Sequence, residues 1–348
     1  MAGSNVAAQG TFATYGGANL NEIFYEPVFR SDDLMRNYRV IPNVKHKMNV
    51  YTSAALTKIV NPYSSCSSTS DSGTPSPLRD FDIDNKTLTA GRCRVALEQC
   101  TDEFFGTYIE EMYRNGVDVM NLEGTQLADA IVNRAVKGIA QDVVRLAWGG
   151  DVAGAVAGYT AFDGWMKLMD TGAPLTNRIE YGGATDNNPT AGEAIGMLRK
   201  MFDDAPANLQ QIPTSEKKFF VTPRIYNAYL ANLEVRDLST ADLAITNTQD
   251  GYSRRVSFRG VEVIAMYEWD TILADTNPAL FLAAATNYTQ GACYVATENL
   301  ILGSDVTDPE GSFKVFYDDL EEKMFFRGYF KLGVQFLYDS LVQWAVLV

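Results

Sequence analysis

One histidine, His46, occurs in the 348 residues. A nucleophile–histidine–carboxylate relay needs an imidazole held by an acid beside a nucleophile. Any such chemistry would rest on His46 alone, and the flanking Lys45 and Lys47 disfavour an imidazolium there. No G-x-S-x-G occurs either, so His46 is read as a structural or surface residue. Cysteine is also sparse. Cys66, Cys93, Cys100 and Cys293 contain no CxxC pair, and with one histidine they cannot form a standard zinc site. They are read as free thiols of a reduced compartment, with Cys93 and Cys100 the one pair close enough in sequence to check for a bridge.

Long apolar runs are missing as well. The longest, Ala279–Ala285, is core-sized and far short of the roughly 18–20 residues of a membrane span. The first ten residues, MAGSNVAAQG, lack the basic-then-apolar pattern of a secretory signal. The sequons at Asn85 and Asn287 are therefore expected to carry no glycan. Positive charge is in deficit: 29 Lys and Arg against 43 Asp and Glu leave a net charge of −14. Nucleic-acid binding draws its affinity from cations that neutralise phosphates, so this balance argues against a nucleic-acid grip.

Motifs for other chemistry are absent too. Gly149–Gly158 lacks both phosphate-cradling glycine patterns and reads as a turn after a helix. Asp151 and Asp163 could be offered as the paired carboxylates of an acid-dependent hydrolase. Nothing in the sequence fixes their separation or drives their pKa values apart, and they read as solvated loop acids. The acidic pairs at 110–111, 203–204, 318–319 and 321–322 match no calcium loop. No catalytic residue, cofactor or metal is expected.

What is present is a core-forming composition, 46% hydrophobic and 21% charged, enough for one large domain or two to three smaller ones. The richest signal is at the end. From Phe326, the even positions to Tyr338 are apolar or glycine, while Arg327, Tyr329, Lys331, Gly333 and Gln335 alternate with them. That is the period-2 pattern of a strand buried on one side, and it is long for a compact domain.

Upstream, residues 1–30 are rich in Gly, Ala and Asn with scattered large apolars, including Phe12, Tyr15, Phe24, Tyr25 and Phe29. They read as an extended arm lying on an apolar surface. A short helix capped by Ser31 follows, ending before Pro42. Strand-like runs at Met48–Val60 and Thr87–Cys100 flank the Ser-, Gly- and Pro-rich stretch Asn61–Pro77. Together they predict a long hairpin with a polar tip. An isolated hairpin is marginal in water, so it must pack on its own subunit or on a neighbour's.

Helices are predicted over 102–115 and about 123–148. The second carries Leu127, Ile131, Val136, Ile139 and Val143 on one face and would be about 36–39 Å long. Further helices are expected at Thr190–Asp204 and after Pro223. Strands are expected at Phe219–Val221, Leu280–Ala285 and Ala292–Ala296, with a hairpin centred on Arg259-Gly260. The fold class is α+β.

The order of these parts resembles that of the major capsid proteins of tailed bacteriophages. Trp148-Gly149-Gly150-Asp151 with Phe162-Asp163-Gly164-Trp165 is similar to that family's connector after its spine helix. Lys218–Pro223 leading into Ile225–Leu233 is similar to its axial strand–helix step. Phe258–Val263 resembles its hairpin, and Glu298–Asp305 with the final strands resembles its return to the peripheral domain. The resemblance implies the tailed-phage major capsid fold, with an N-terminal arm (1–46), an extended hairpin loop (47–100), a peripheral domain with the spine helix (101–190), an axial domain (191–297) and C-terminal strands returning to the peripheral domain (298–348).

It further implies a non-enzymatic shell protein, located in the virion and assembled in the host cytoplasm. Its partners would be copies of itself in pentamers and hexamers, a separate scaffolding protein, a portal, decoration proteins and packaged DNA without sequence-specific contacts, and no membrane. Many members begin with a long helical, charged scaffolding segment; with none expected before this hairpin, scaffolding would come from a separate protein or be unnecessary. Some relatives join subunits through a lysine–asparagine bond; Lys58 and Lys86 lie in the hairpin, with no asparagine matched to either. Phe12, Tyr15, Phe24, Tyr25, Phe29, Lys58, Tyr63 and Lys86 are the expected subunit-contact residues. The same fold also builds encapsulin-like nanocompartments, and the sequence leaves the two open.

Overall fold

The alternation that starts in the Phe326 region builds the longest strand among the described residues. The computed structural model describes residues 13–15, 37–53, 83–100, 126–154, 156–172, 178–181, 189–235, 243–248, 251–275, 290–305, 313–318 and 323–347. In chain order the elements are β1 (Ala13–Tyr15), β2 (Arg39–Ile41), β3 (Lys47–Ser53), β4 (Ile83–Thr89), β5 (Gly91–Cys100), α1 (Gln126–Gly149), α2 (Trp165–Gly172), β6 (Arg178–Tyr181), α3 (Ala191–Asp203), α4 (Ala207–Gln211), β7 (Lys217–Val221) and α5 (Pro223–Val235). Then follow β8 (Leu243–Thr248), β9 (Gly251–Phe258), β10 (Val261–Ala265), α6 (Tyr267–Asp275), β11 (Gly291–Ala296), β12 (Leu300–Ser304), β13 (Phe313–Asp318), β14 (Lys323–Phe336) and β15 (Val342–Leu347).

β14 is long because it serves several neighbours. One edge pairs antiparallel with β5 from Lys323 to Leu332. The other edge pairs first with β13 and then, from Leu332 to Phe336, with β12. β1 and β2 complete this six-stranded sheet at its ends. The even positions Phe326, Phe330, Leu332, Val334 and Phe336 are buried, while Arg327 and Tyr329 are exposed. A single-sided strand is what the alternation predicts.

The second sheet has seven strands in the order β6-β15-β11-β7-β10-β9-β8. Its strands β15, β11 and β7 are buried on both faces. Phe219, Val221, Ala292, Tyr294 and Ala345 pack toward α3 and α5. Phe220, Cys293, Val295, Trp344 and Val346 point the other way, into a core shared with α1, α2, α6 and the six-stranded sheet. Its hairpin closes on Arg259 and Gly260 at φ 50° and 80°, the positive-φ pair of a two-residue hairpin turn. α3 begins with a capping box: Thr190 accepts from the Glu193 amide, and the Glu193 carboxylate accepts from the Thr190 amide. Pro223 opens α5, where its missing N–H costs nothing.

The spine-like helix expected at 123–148 is α1, whose 24 residues span about 36 Å. Ala135, Val136, Ile139, Val143 and Ala147 are its buried stripe. At its end, Trp148 meets Trp165 at 5.0 Å and Trp269 at 4.9 Å, ring centre to ring centre. Its indole N–H donates to the Tyr38 hydroxyl at 2.9 Å. This aromatic cluster joins the segment before β2, α1, α2 and α6 in one core.

One expectation is corrected. The run Thr87–Cys100 is not one arm of a hairpin. Only β4 pairs with β3, and after Ala90 the chain leaves to pair with β14. Gly91 marks the break, since a Cβ there would strike the Ala161 carbonyl oxygen. The final strands divide between the two sheets. β12, β13 and β14 lie in the six-stranded sheet, whereas β15 enters the seven-stranded one between β6 and β11. Its sequence VQWAVL, with every residue buried, suits a strand covered on both faces. The expected helices at 102–115 and after Ser31, the strand at Leu280–Ala285 and the tip Asn61–Pro77 lie outside the described residues.

Candidate assembly surface

The hairpin β3–β4 is rooted on the outer face of the six-stranded sheet. Gly303 of β12 and Gly333 of β14 stand directly opposite each other in the ladder. A Cβ on Gly333 would strike the Thr89 carbonyl oxygen, and one on Gly303 would come within 2.7 Å of Leu88 Cδ2. The paired glycines thus make a flat place on which the end of β4 sits, at backbone distance over Gly333 and through the Leu88 side chain over Gly303. Leu88 is fully buried there in a small cluster with Val44, Val50, Ala90 and Ile301. Polar contacts fix the root from its sides: Gln335 Nε2 donates to the Thr87 carbonyl at 3.0 Å, and Lys86 Nζ lies 2.6 Å from Asp339 Oδ1. Farther along the hairpin, Tyr51 is 67% exposed.

Below the root, the outer face continues along β5 and β14. The register places Arg92 opposite Lys331, Arg94 opposite Tyr329 and Ala96 opposite Arg327. Arg92, Arg94, Arg327 and Tyr329 are exposed. Lys331 is half-buried, 3.9 Å from the buried carboxylate of Asp305, which also accepts the Lys331 amide at 2.7 Å. Where the face meets the hairpin root, a cleft of about 540 Å³ opens, lined by Lys45, His46, Ala90, Arg92 and Lys331. The His46 carbonyl accepts the Ala90 amide at 2.8 Å, which ties the Lys45–Lys47 segment to the start of β5.

Of the expected contact residues, Phe12, Phe24, Tyr25, Phe29, Lys58 and Tyr63 lie outside the described residues. Tyr15 ends β1, opposite Phe313 in the sheet. Lys86 is ion-paired within its own chain. Sequence reading missed Arg92 and Arg94. The spacing of Arg92-Cys93-Arg94, two cations around a buried thiol, was the available signal for a cationic strand face.

The other candidates are accounted for locally. Asp163 Oδ1 accepts the Val152 amide at 2.9 Å, and Asp151 Oδ1 accepts the Ala153 amide at 3.0 Å while lying 3.5 Å through Oδ2 from Lys167 Nζ. Both carboxylates thus hold the connector after α1 in shape. Gly164 closes the same loop, its amide donating to Gly150 O at 2.8 Å. Burial pushes the Cys93 thiol up to about 12 and raises that of Cys293, so both are inert packing groups. Among the described residues no cluster of His, Cys, Asp and Glu could hold a metal ion, and no helix is long and apolar enough to cross a membrane.

No family model matches the sequence, and no curated protein does. Solved structures do match. The satellite phage P4 procapsid, described as including the size determination protein Sid, aligns with TM-score 0.53 and 10% identity over 94% of this chain and 96% of that one. The holo-SrpI encapsulin complex from Synechococcus elongatus PCC 7942 aligns with TM-score 0.51 and 10% identity over 90% and 86%. The capsid of cyanophage P-SCSP1u aligns with TM-score 0.50 and 12% identity over 89% and 86%. Two sheets around a long helix, with a hairpin rooted on the outer face, are in this chain the fold of phage capsid and encapsulin shell proteins.

Proposed function

We propose that this chain is the major capsid protein of a tailed bacteriophage, a tile that assembles through pentamers and hexamers into an icosahedral shell around double-stranded DNA. The observation that carries this reading is the agreement of fold over 94% of this chain with a phage procapsid chain, itself matched over 96%. In this reading the six-stranded sheet with α1 is the peripheral domain and the seven-stranded sheet the axial domain. β3 and β4 are the base of the extended loop, and residues 1–46 are assigned to the arm. Draping arm and loop over neighbours would bury roughly 2,000–5,000 Å² per interface, the range of obligate contacts. The net charge of −14 suits a wall that contains DNA without gripping it. A separate scaffold, a portal and decoration proteins would be its other partners, and the virion its location.

Purified full-length protein should elute in the void volume and show closed particles by negative-stain electron microscopy. A stable monomer at all concentrations would end this reading. The encapsulin match favours one second reading, a nanocompartment shell. Particles from the native source that hold protein cargo and no DNA would select it.

A further inference from the structure

We propose that the outer face of the six-stranded sheet around Arg92, Arg94, Arg327 and Lys331 is a docking surface for a carboxylate-bearing surface of a second copy of this chain. The inference rests on the shell reading above and names one contact through which the tiles would join.

The first support is an inversion of charge. The chain has a surplus of acids and a net charge of −14, yet this face gathers cations, and the acid at its far end, Glu98, lies 3.8 Å from Lys323 Nζ. Arg92, Arg94 and Arg327 are exposed on it, and the cleft at its end adds Lys45 and His46. A copy of the chain is therefore a ready source of complementary carboxylates. At about 0.15 M salt, charges beyond about 8 Å are screened, so local complementarity outweighs the like net charge of two copies.

The second support is a cost carried by the lone subunit. Like charges directly opposite across a strand pair destabilise it. Arg92 faces Lys331 in this way. The buried Asp305 carboxylate lies against Lys331, and among the described residues Arg92 and Arg94 form no ion pair. Carboxylates from outside would relieve the repulsion, and guanidinium groups suit them because they bind a carboxylate through two parallel hydrogen bonds.

The third support is shape and composition. Tyr329, 51% exposed, sits opposite Arg94 in the middle of the patch. Exposed Tyr among Arg is the composition of protein-interface anchors. The hairpin root closes one end of the face, and at about 3.3 Å per residue the stretch from Arg92 to Ala96 is only about 13 Å long. A single-stranded nucleic acid would need a track with successive aromatic platforms, whereas this is a bounded patch with one exposed aromatic among the described residues.

The test compares full-length wild type, R92E/R94E, R92Q/R94Q and R92K/R94K by sedimentation velocity and electron microscopy across protein concentration at 0.15 M salt. Wild type and R92K/R94K should form particles alike. R92E/R94E should need at least about tenfold more protein to assemble, with R92Q/R94Q between. Subunit melting should stay within about 2 °C, as for other exposed positions. If R92E/R94E melts lower, the glutamine and lysine pairs decide. Assembly of R92Q/R94Q and R92E/R94E at the wild-type concentration would overturn the inference and leave the shell reading intact. Failure of wild type itself to assemble would instead remove the shell reading, and this contact with it. A gel shift with a double-stranded DNA fragment closes the test. DNA binding lost in R92E/R94E while particles form normally would reassign the face to nucleic acid.

Discussion

The two sheets solve burial in opposite ways. The seven-stranded sheet is covered on both sides, by α3 and α5 and by the core around α1, and β7, β11 and β15 have no exposed residue. The six-stranded sheet covers one side and turns Arg92, Arg94, Arg327 and Tyr329 outward on the other. The first is complete within one chain. The second has a surface left over, and it is the one that carries the hairpin and the cationic patch. In the proposed reading, folding and association fall to different sheets.

The sharpest way to break that contrast is to put the same acid into each. Val221→Asp would bury an unpaired charge at a site with no exposure and should cost about 3–5 kcal/mol or unfold the chain. Tyr329→Asp, on the open face, should change subunit stability by no more than about 0.5 kcal/mol. Urea denaturation of both variants checks this, and equal losses would erase the distinction.

A smaller effect probes where the open sheet is not open. Gly333→Ala should cost about 1–3 kcal/mol, because its Cβ would push on the Thr89 carbonyl and, at 3.0 Å, on Ala90 Cα. Gly192→Ala, on α3 with clear space around its Cβ, should instead be neutral or stabilising. Paired denaturation curves separate the two.

The smallest effect concerns what the sheets share. Cys93 and Cys293 enter the common core from the two sheets. With Cys66 and Cys100 replaced by Ser, native protein at pH 8 should leave both thiols unlabelled by a soluble disulfide reagent, and denatured protein should expose both. The sign of the pH dependence follows. The Cys93 thiol is raised from 9.0 to about 12, so the stability it contributes is whole below pH 9 and falls as pH rises toward 12. Stability of that variant that rises between pH 9 and pH 11 would contradict the assignment.

Elements with an uninterrupted period were legible in the sequence. α1 showed its stripe through Val136, Ile139 and Val143, and β14 showed its alternation from Phe326. The Arg259-Gly260 turn was visible because only a positive-φ pair closes so short a hairpin. Partner choice was not legible. Thr87–Cys100 reads as one strand, since the break at Gly91 depends on the distant Ala161. The destination of β15 was equally hidden, because its apolar run specifies burial on two faces without saying in which sheet. The cationic patch required the register of β5 against β14. Arg92 and Lys331 are far apart in the chain, and neither is conspicuous alone.

The paired glycines Gly303 and Gly333 have a mechanical consequence. At Gly333 the main chain of β4 rests on bare main chain, and at Gly303 the Leu88 side chain fills the space a Cβ would take. The direction in which the hairpin leaves the sheet is thus set by a backbone contact at Gly333 and by the packing of Leu88 on Gly303. A single added methyl group at that seat would tilt the whole projection, and the error would grow with distance from the pivot. In the proposed shell that angle must be the same from copy to copy, and it is anchored at two positions where the side chain is a hydrogen atom.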